Sequence, residues 1–212
     1  AGVEILGGHT VRIAEPIFGL AATGYVHPDE IWRKTGLVDG DLLMLSKPLG
    51  VGVLLSTREL EDEEVALNFM KTSNLKARNS LVALGSAVHA VTDVTGFGLF
   101  GHLIEMAEGA GLSAKLDFAS VPLLPNLHSY LDQKCFPGGT ARNLASYGHR
   151  LSDEIDERQR FIGADPQTSG GLLIAVEAEH TAEFEAFALT QGLELCPIGE
   201  LIEAQEKAIL LA

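Results

Sequence analysis

VTDVTGFGLFGHLIEMA, residues 91–107, decides how the rest of the chain is read. An apolar run closes on a carboxylate, Asp93. Gly96, Gly98 and Gly101 follow, and apolar residues at Leu99, Leu103, Ile104, Met106 and Ala107 then take helical spacing. A strand that ends in Asp and turns through glycines into a helix suits an anion or its metal. Glycines let the backbone come close, and a helix start offers unpaired N–H groups at the positive end of its dipole. Asp93 adds a hard oxygen ligand suited to Mg2+. A plain Gly-rich turn that packs a helix on a strand is the other reading.

Gly96-x-Gly98-x-x-Gly101 also fits the dinucleotide fingerprint, with Asp117 near the end of an expected strand at 112–118 as the ribose-binding acid. Asp93 argues against it, because a carboxylate beside a phosphate loop repels a pyrophosphate unless a metal lies between them.

Working outward, residues 165–171, DPQTSGG, lead into an apolar strand at 172–176. Hydroxyls at Thr168 and Ser169 among glycines suit an anion, or a turn capped by its own side chains. Upstream, residues 42–46 read as a strand that ends at Lys47-Pro48-Leu49-Gly50. A lysine there suits a phosphate or simply solvent. Helices are expected over 59–71 and 75–88, the first opening on acids that favour its dipole. A short helix to about Leu131, a loop over 133–142, a helix over 179–191 and closing strands at 193–198 and 208–211 complete the second half. Near the start, Gly7-Gly8-His9-Thr10 forms a Gly-rich loop able to contact phosphates, or an ordinary turn, and residues 17–26, IFGLAATGYV, read as a strand. The alternation implies an α/β (α+β) fold, a mixed sheet with packed helices.

With 212 residues, 46% hydrophobic, the chain can bury a substantial core. A net charge of −14 repels nucleic-acid backbones and anionic membranes, so neither is an expected partner. Cys135 and Cys196 have neither metal nor disulfide-framework spacing. No apolar run reaches membrane-spanning length and no signal peptide opens the chain, so a cytoplasmic location is expected.

Three motifs occur in order: Gly7-Gly8-His9-Thr10 followed by Glu15-Pro16-Ile17-Phe18-Gly19-Leu20, the Asp93 stretch, and Asp165-Pro166-Gln167-Thr168-Ser169-Gly170-Gly171-Leu172, with Lys47-Pro48-Leu49-Gly50 between the first two. Together they resemble the selenophosphate synthetase (selenide, water dikinase) family over essentially the whole chain. That family is similar in fold to aminoimidazole ribonucleotide synthetase, thiamine-monophosphate kinase and a hydrogenase maturation protein. The resemblance implies conversion of ATP, selenide and water to selenophosphate, AMP and phosphate with Mg2+, by a homodimer. It implies that Asp93 is a Mg2+ ligand and that Gly7, Gly8, His9 and Thr10 contact nucleotide; Lys47, Thr168 and Ser169, suited to anions by their own setting, are further phosphate-binding candidates. Residues 1–27 are then the end of an N-terminal ATP-binding domain, contributing its last strand, and 28–212 a C-terminal domain. The family's N-terminal Cys or selenocysteine, its Lys and its further aspartates match nothing in this sequence. The expectation is a fragment without catalytic residues of its own, inactive alone. Another ATP-dependent enzyme of the same superfold is the alternative.

Overall fold

A computed structural model describes residues 3–212 and separates the chain into two compact units, Ala1–Ile31 and Trp32–Ala212. Ala1 and Gly2, the first residues of the expected 1–27 segment, lie outside the described residues.

In the first unit residues 3–31 are exposed throughout, and their regular structure is one 3-10 turn, Pro28–Glu30, whose Asp29 N–H donates to His27 Nδ1 at 3.3 Å. The strand expected at 17–26 is not formed: Ile17, Phe18, Leu20, Tyr25 and Val26 stand exposed, with no strand paired to them among the described residues. β-propensity expresses itself only where a neighbouring strand takes up the N–H and C=O groups.

The second unit is built on six strands, β1 (Leu42–Leu45), β2 (Val88–Asp93), β3 (Leu112–Leu116), β4 (Leu172–Val176), β5 (Pro197–Glu203) and β6 (Ile209–Leu211). They form one sheet in the order β2-β4-β1-β5-β3-β6, with every pair antiparallel except β3 and β6. The helices are α1 (Val51–Thr57), α2 (Leu60–Lys71), α3 (Leu75–Leu84), α4 (Gly98–Gly109), α5 (Leu127–Asp132), α6 (Gly138–Tyr147), α7 (Glu157–Ala164) and α8 (Thr181–Thr190).

Alternation along the strands divides the core. Leu43 and Leu45 of β1 join Ala90, Leu173 and Ala175 on the face that packs Leu99, Phe100, Leu103 and Met106 of α4. Met44, between them, points to the opposite face with Ile174 and Val176, where Leu81 of α3 and Phe184 of α8 cover it. Fully burying a side chain of this size contributes about 1.5–3 kcal/mol, so α4 is the main clamp on its face. A third cluster, Val51, Leu54, Ala66 and Leu124, joins α1 to α2.

Differences from the sequence expectations concentrate in polar segments. The loop expected over 133–142 gives way at Gly138 to α6, which buries Thr140, Asn143 and Tyr147, so its inward face is largely polar and carries little apolar period. The helix expected to reach Val88 stops at Leu84, because Gly85 adopts a positive φ of 57° and Val88 is needed by β2. β5 starts at Pro197 and runs to Glu203, later than the expected 193–198. Among the described residues, no helix is long and apolar enough to cross a membrane.

Candidate functional site

β2 ends at Asp93, which pairs with Leu172 at the start of β4. Because the two strands are antiparallel, the loop leaving β2 and the loop entering β4 emerge at the same end of the sheet. They touch along their length: Val94 N–H donates to Gly171 O at 2.8 Å, and Gln167 N–H to Thr95 O at 3.0 Å. A Cβ on Gly170 would lie 2.1 Å from Val94 O, so only glycine admits this approach. Asp93, Gly96, Thr168 and Ser169 are all exposed on this rim.

The turn after Asp93 is held rigidly. Thr95 N–H donates to His102 Nε2 at 3.0 Å, and the Thr95 hydroxyl lies 3.1 Å from the same nitrogen. A backbone N–H can only donate, so Nε2 accepts and the ring proton belongs on Nδ1. Burial lowers the His102 pKa and keeps the ring neutral, against the opposing pull of Asp93 and Glu105 and with a smaller push from Lys34. Asn143 Nδ2 donates to Gly96 O and to Ala164 O, each at 3.0 Å, and Tyr147 Oη donates to Phe97 O at 2.6 Å. Gly98 opens α4 at a φ of 68°, and a Cβ there would meet Gly163 O at 2.6 Å. Phe97 remains 64% exposed beside the rim.

The second loop is held by buried polar groups. Asp165, 1% exposed, accepts from Gly52 N–H at 3.0 Å and from Gln167 Nε2 at 2.9 Å through the same oxygen, Oδ2. Gln167 Oε1 accepts from Gly50 N–H at 3.2 Å and Val51 N–H at 3.3 Å, so the loop side chains cap the start of α1. Burial pushes the Asp165 carboxyl up to about 7.

Lys47 does not stand free for a ligand. It is 7% exposed, and its ammonium donates to Thr72 O at 2.6 Å, Ser169 O at 2.8 Å and Phe69 O at 3.5 Å. Of the residues expected near phosphates in this unit, Thr168 and Ser169 reach solvent and Lys47 reaches only carbonyls. Gly7, Gly8, His9 and Thr10 belong to the first unit, where all are exposed and a Cβ on either glycine would meet nothing within 4 Å.

Among the described residues no group of three or more His, Cys, Asp or Glu is placed to hold a metal. Asp93 on its own, exposed at a strand end, nonetheless fits Mg2+, which takes one or two protein carboxylates and completes its shell with phosphate oxygens and water.

The dinucleotide alternative is overturned by topology. Its βαβ unit places the second strand beside the first, whereas β2 and β3 are separated by β4, β1 and β5. Gly101 is drawn against Phe97 and Tyr147, where a Cβ would meet atoms at 2.5 Å and 3.1 Å. Asp117 closes its own turn, accepting from Ser120 Oγ at 2.6 Å and Ala119 N–H at 3.0 Å, and the Ser120 bond foremost holds its carboxyl below the usual range.

Residues 38–211 match the family described as AIR synthase related protein, C-terminal domain. The chain belongs to this family. It is similar to selenide, water dikinase of Aeromonas hydrophila subsp. hydrophila, at 50% identity over 206 residues covering 95% of this chain and 59% of the relative. With the Pseudomonas putida protein of the same name it shares 46% identity over 214 residues, 99% of this chain and 61% of the relative. The chain thus spans about 60% of the length of the curated relatives it matches. Among solved structures it is similar to hydrogenase maturation protein HypE in complex with ATP, with a TM-score of 0.61 and 16% identity over 88% of this chain and 51% of that one. Thiamine-monophosphate kinase from Stenotrophomonas maltophilia K279a gives 0.53 and 19% identity over 88% and 54%. These distant likenesses show the AIR synthase-related fold that the family match also assigns.

Sequence reasoning left several braces of the site unread. His102 carried no ligand spacing, Asn143 lay in a stretch with no clear period, and Asp165 and Gln167 belonged to a loop read as suited to an anion or as a turn capped by its own side chains. The one available signal was the density of polar residues beside glycines in 165–171, which marks backbone groups in need of partners.

Proposed function

We propose that this chain is the C-terminal part of a selenide, water dikinase, which converts ATP, selenide and water to selenophosphate, AMP and phosphate. The observation that carries the reading is 46–50% identity to proteins of that name across nearly the whole chain. Residues 1–27 are assigned to the end of the N-terminal ATP-binding domain and 28–212 to the C-terminal domain, in a cytoplasmic homodimer that takes ATP and selenide.

Phosphoryl transfer relies on positioning and charge neutralisation more than on protein nucleophiles. A chain with 15 basic and 29 acidic residues is poorly supplied to neutralise a triphosphate alone. Mg2+, when bound, supplies that charge, and Asp93 is the ligand this domain offers it. Thr168 and Ser169, exposed on the same rim, are assigned as hydroxyl donors to phosphate oxygens, and Gly7, Gly8, His9 and Thr10 as a nucleotide-contacting loop. His102 fixes the turn after Asp93 by accepting from Thr95. The family's N-terminal Cys or selenocysteine, Lys and further aspartates match nothing in this sequence, so the 212-residue chain alone is expected to make no selenophosphate.

The test is selenide-dependent AMP formation by the full-length enzyme carrying this chain. ATP use without dependence on selenide would assign it to another ATP-dependent enzyme of the AIR synthase-related fold; no ATP use at all would overturn the reading.

A further inference from the structure

Residues 46–52 and 165–172 are distant in sequence yet closed on each other by side chains. Leu172 N–H donates to Ser46 Oγ at 2.7 Å, and Ser46 N–H to Leu172 O at 3.0 Å. Gly171 lies so near that a Cβ would sit 2.5 Å from Lys47 N. Gln167 and Asp165 accept from the N–H groups of Gly50, Val51 and Gly52. Within this clasp one group differs in kind. The Lys47 ammonium is buried and faces no carboxylate: its acceptors are the carbonyls of Phe69 and Thr72 at the end of α2 and of Ser169 in the loop. The end of a helix carries unsatisfied carbonyls and the negative end of its dipole, so a cation is stabilised there without a counter-ion. Burial lowers the Lys47 pKa, while the three acceptors require the charged, three-donor form.

Ser169 needs that support. Its φ is 54°, a left-handed conformation that disfavours a residue carrying a Cβ. Asn74 Nδ2 donates to the next carbonyl, Gly170 O, at 3.0 Å. Two carbonyls in succession are therefore held by Lys47 and Asn74, while Thr168 and Ser169 themselves remain exposed in the loop that lies beside the end of β2.

We propose that Lys47 is a positioning residue for the Thr168–Ser169 loop: by joining Ser169 O to the carboxyl end of α2, it presents the loop's hydroxyls to the phosphates of Mg-ATP without touching them. This rests on the assignment of the rim to ATP above.

The experiment compares Lys47→Met with wild type in the full-length enzyme, reading KM for Mg-ATP, KM for selenide and kcat. Methionine keeps the stem and removes the donors. The expected result is a rise of about tenfold in KM for Mg-ATP, with KM for selenide within twofold of wild type. A merely structural lysine would lower the active fraction, and so kcat, while leaving KM for Mg-ATP alone; that outcome overturns the proposal. Ser46→Ala, which removes the neighbouring bond to Leu172 and leaves Ser169 O held, is expected to keep KM for Mg-ATP within twofold, and a rise matching that of Lys47→Met would also overturn it. If Lys47→Met does not fold, Asn74→Ala serves in its place: a rise of threefold or more in KM for Mg-ATP supports the gripped-carbonyl arrangement and an unchanged KM overturns it. Wild-type enzyme without selenide-dependent AMP formation refutes the functional assignment itself, an outcome separable from any effect of these variants.

Discussion

Gly52 N–H donates to Asp165 Oδ2 at 3.0 Å, joining the first turn of α1 to a buried carboxyl 113 residues away. The second oxygen of that carboxyl, Oδ1, is buried with no hydrogen-bond partner. Burial favours the neutral acid and pushes Asp165 from 3.8 up to about 7. A folded-state pKa above the unfolded one means that the native state holds the proton longer. The stabilisation is therefore fully present below about pH 4 and lost as pH rises through about 7. In urea unfolding, wild type is expected to lose up to about 1.4 kcal/mol of stability for each pH step of one between those two values, and Asp165→Asn to lack that dependence. An identical pH slope in the variant would refute the buried-acid account.

Asp93 is exposed at the end of β2, so its carboxylate is not needed for packing. Asp93→Asn in the full-length enzyme is expected to leave the thermal midpoint within about 2 °C of wild type, as a surface change within about 0.5 kcal/mol should. ATP turnover should fall by two orders of magnitude or more, consistent with loss of a metal ligand. Turnover like wild type would remove Asp93 from the metal site.

His102 accepts two polar groups of Thr95 from within the core, and its replacement strands the Thr95 N–H. His102→Phe preserves bulk and removes the acceptor. It should destabilise the chain by about 1 kcal/mol, because the half-buried Thr95 N–H loses its acceptor. Amide exchange at Thr95 should rise with it; unchanged protection there would mean that another group takes the proton.

Gly98 combines a φ of 68° with a Cβ position 2.6 Å from Gly163 O. Gly98→Ala meets both the left-handed penalty and a backbone clash that α7 must move to relieve. A loss of about 2–3 kcal/mol in denaturant unfolding is expected, against no more than about 0.5 kcal/mol for Gly96→Ala, whose Cβ would meet nothing within 4 Å. Equal losses at the two glycines would contradict this reading of the turn.

Mg-ATP titrated calorimetrically into the 212-residue chain should show no micromolar binding. Asp93 belongs to no group of three or more His, Cys, Asp or Glu placed to hold a metal among the described residues. A micromolar constant would show that the rim binds nucleotide unaided.

The local grammar of this chain was legible before folding. The almost wholly apolar residues 42–46, the apolar run at 172–176 and the Asp-to-glycine-to-helix pattern at 91–107 each record which side chains face a core, and β1, β4, β2 and α4 follow from them. The mixed α/β class was readable on the same basis, because burial periodicity and turn chemistry are properties of neighbours along the chain. Other features are set by groups far apart in sequence. Lys47 is a phosphate candidate by position and an internal brace in the fold, since the carbonyls that engage it lie 22, 25 and 122 residues away. Asp165 looks like a turn cap and proves to be a core acid, because the N–H that meets it belongs to α1. Residues 17–26 have the composition of a strand and remain exposed, because a strand exists only where another backbone pairs with it. Sequence determined which segments bury an apolar face; tertiary structure decided which polar groups meet, because a hydrogen bond depends on where its partner lies in space.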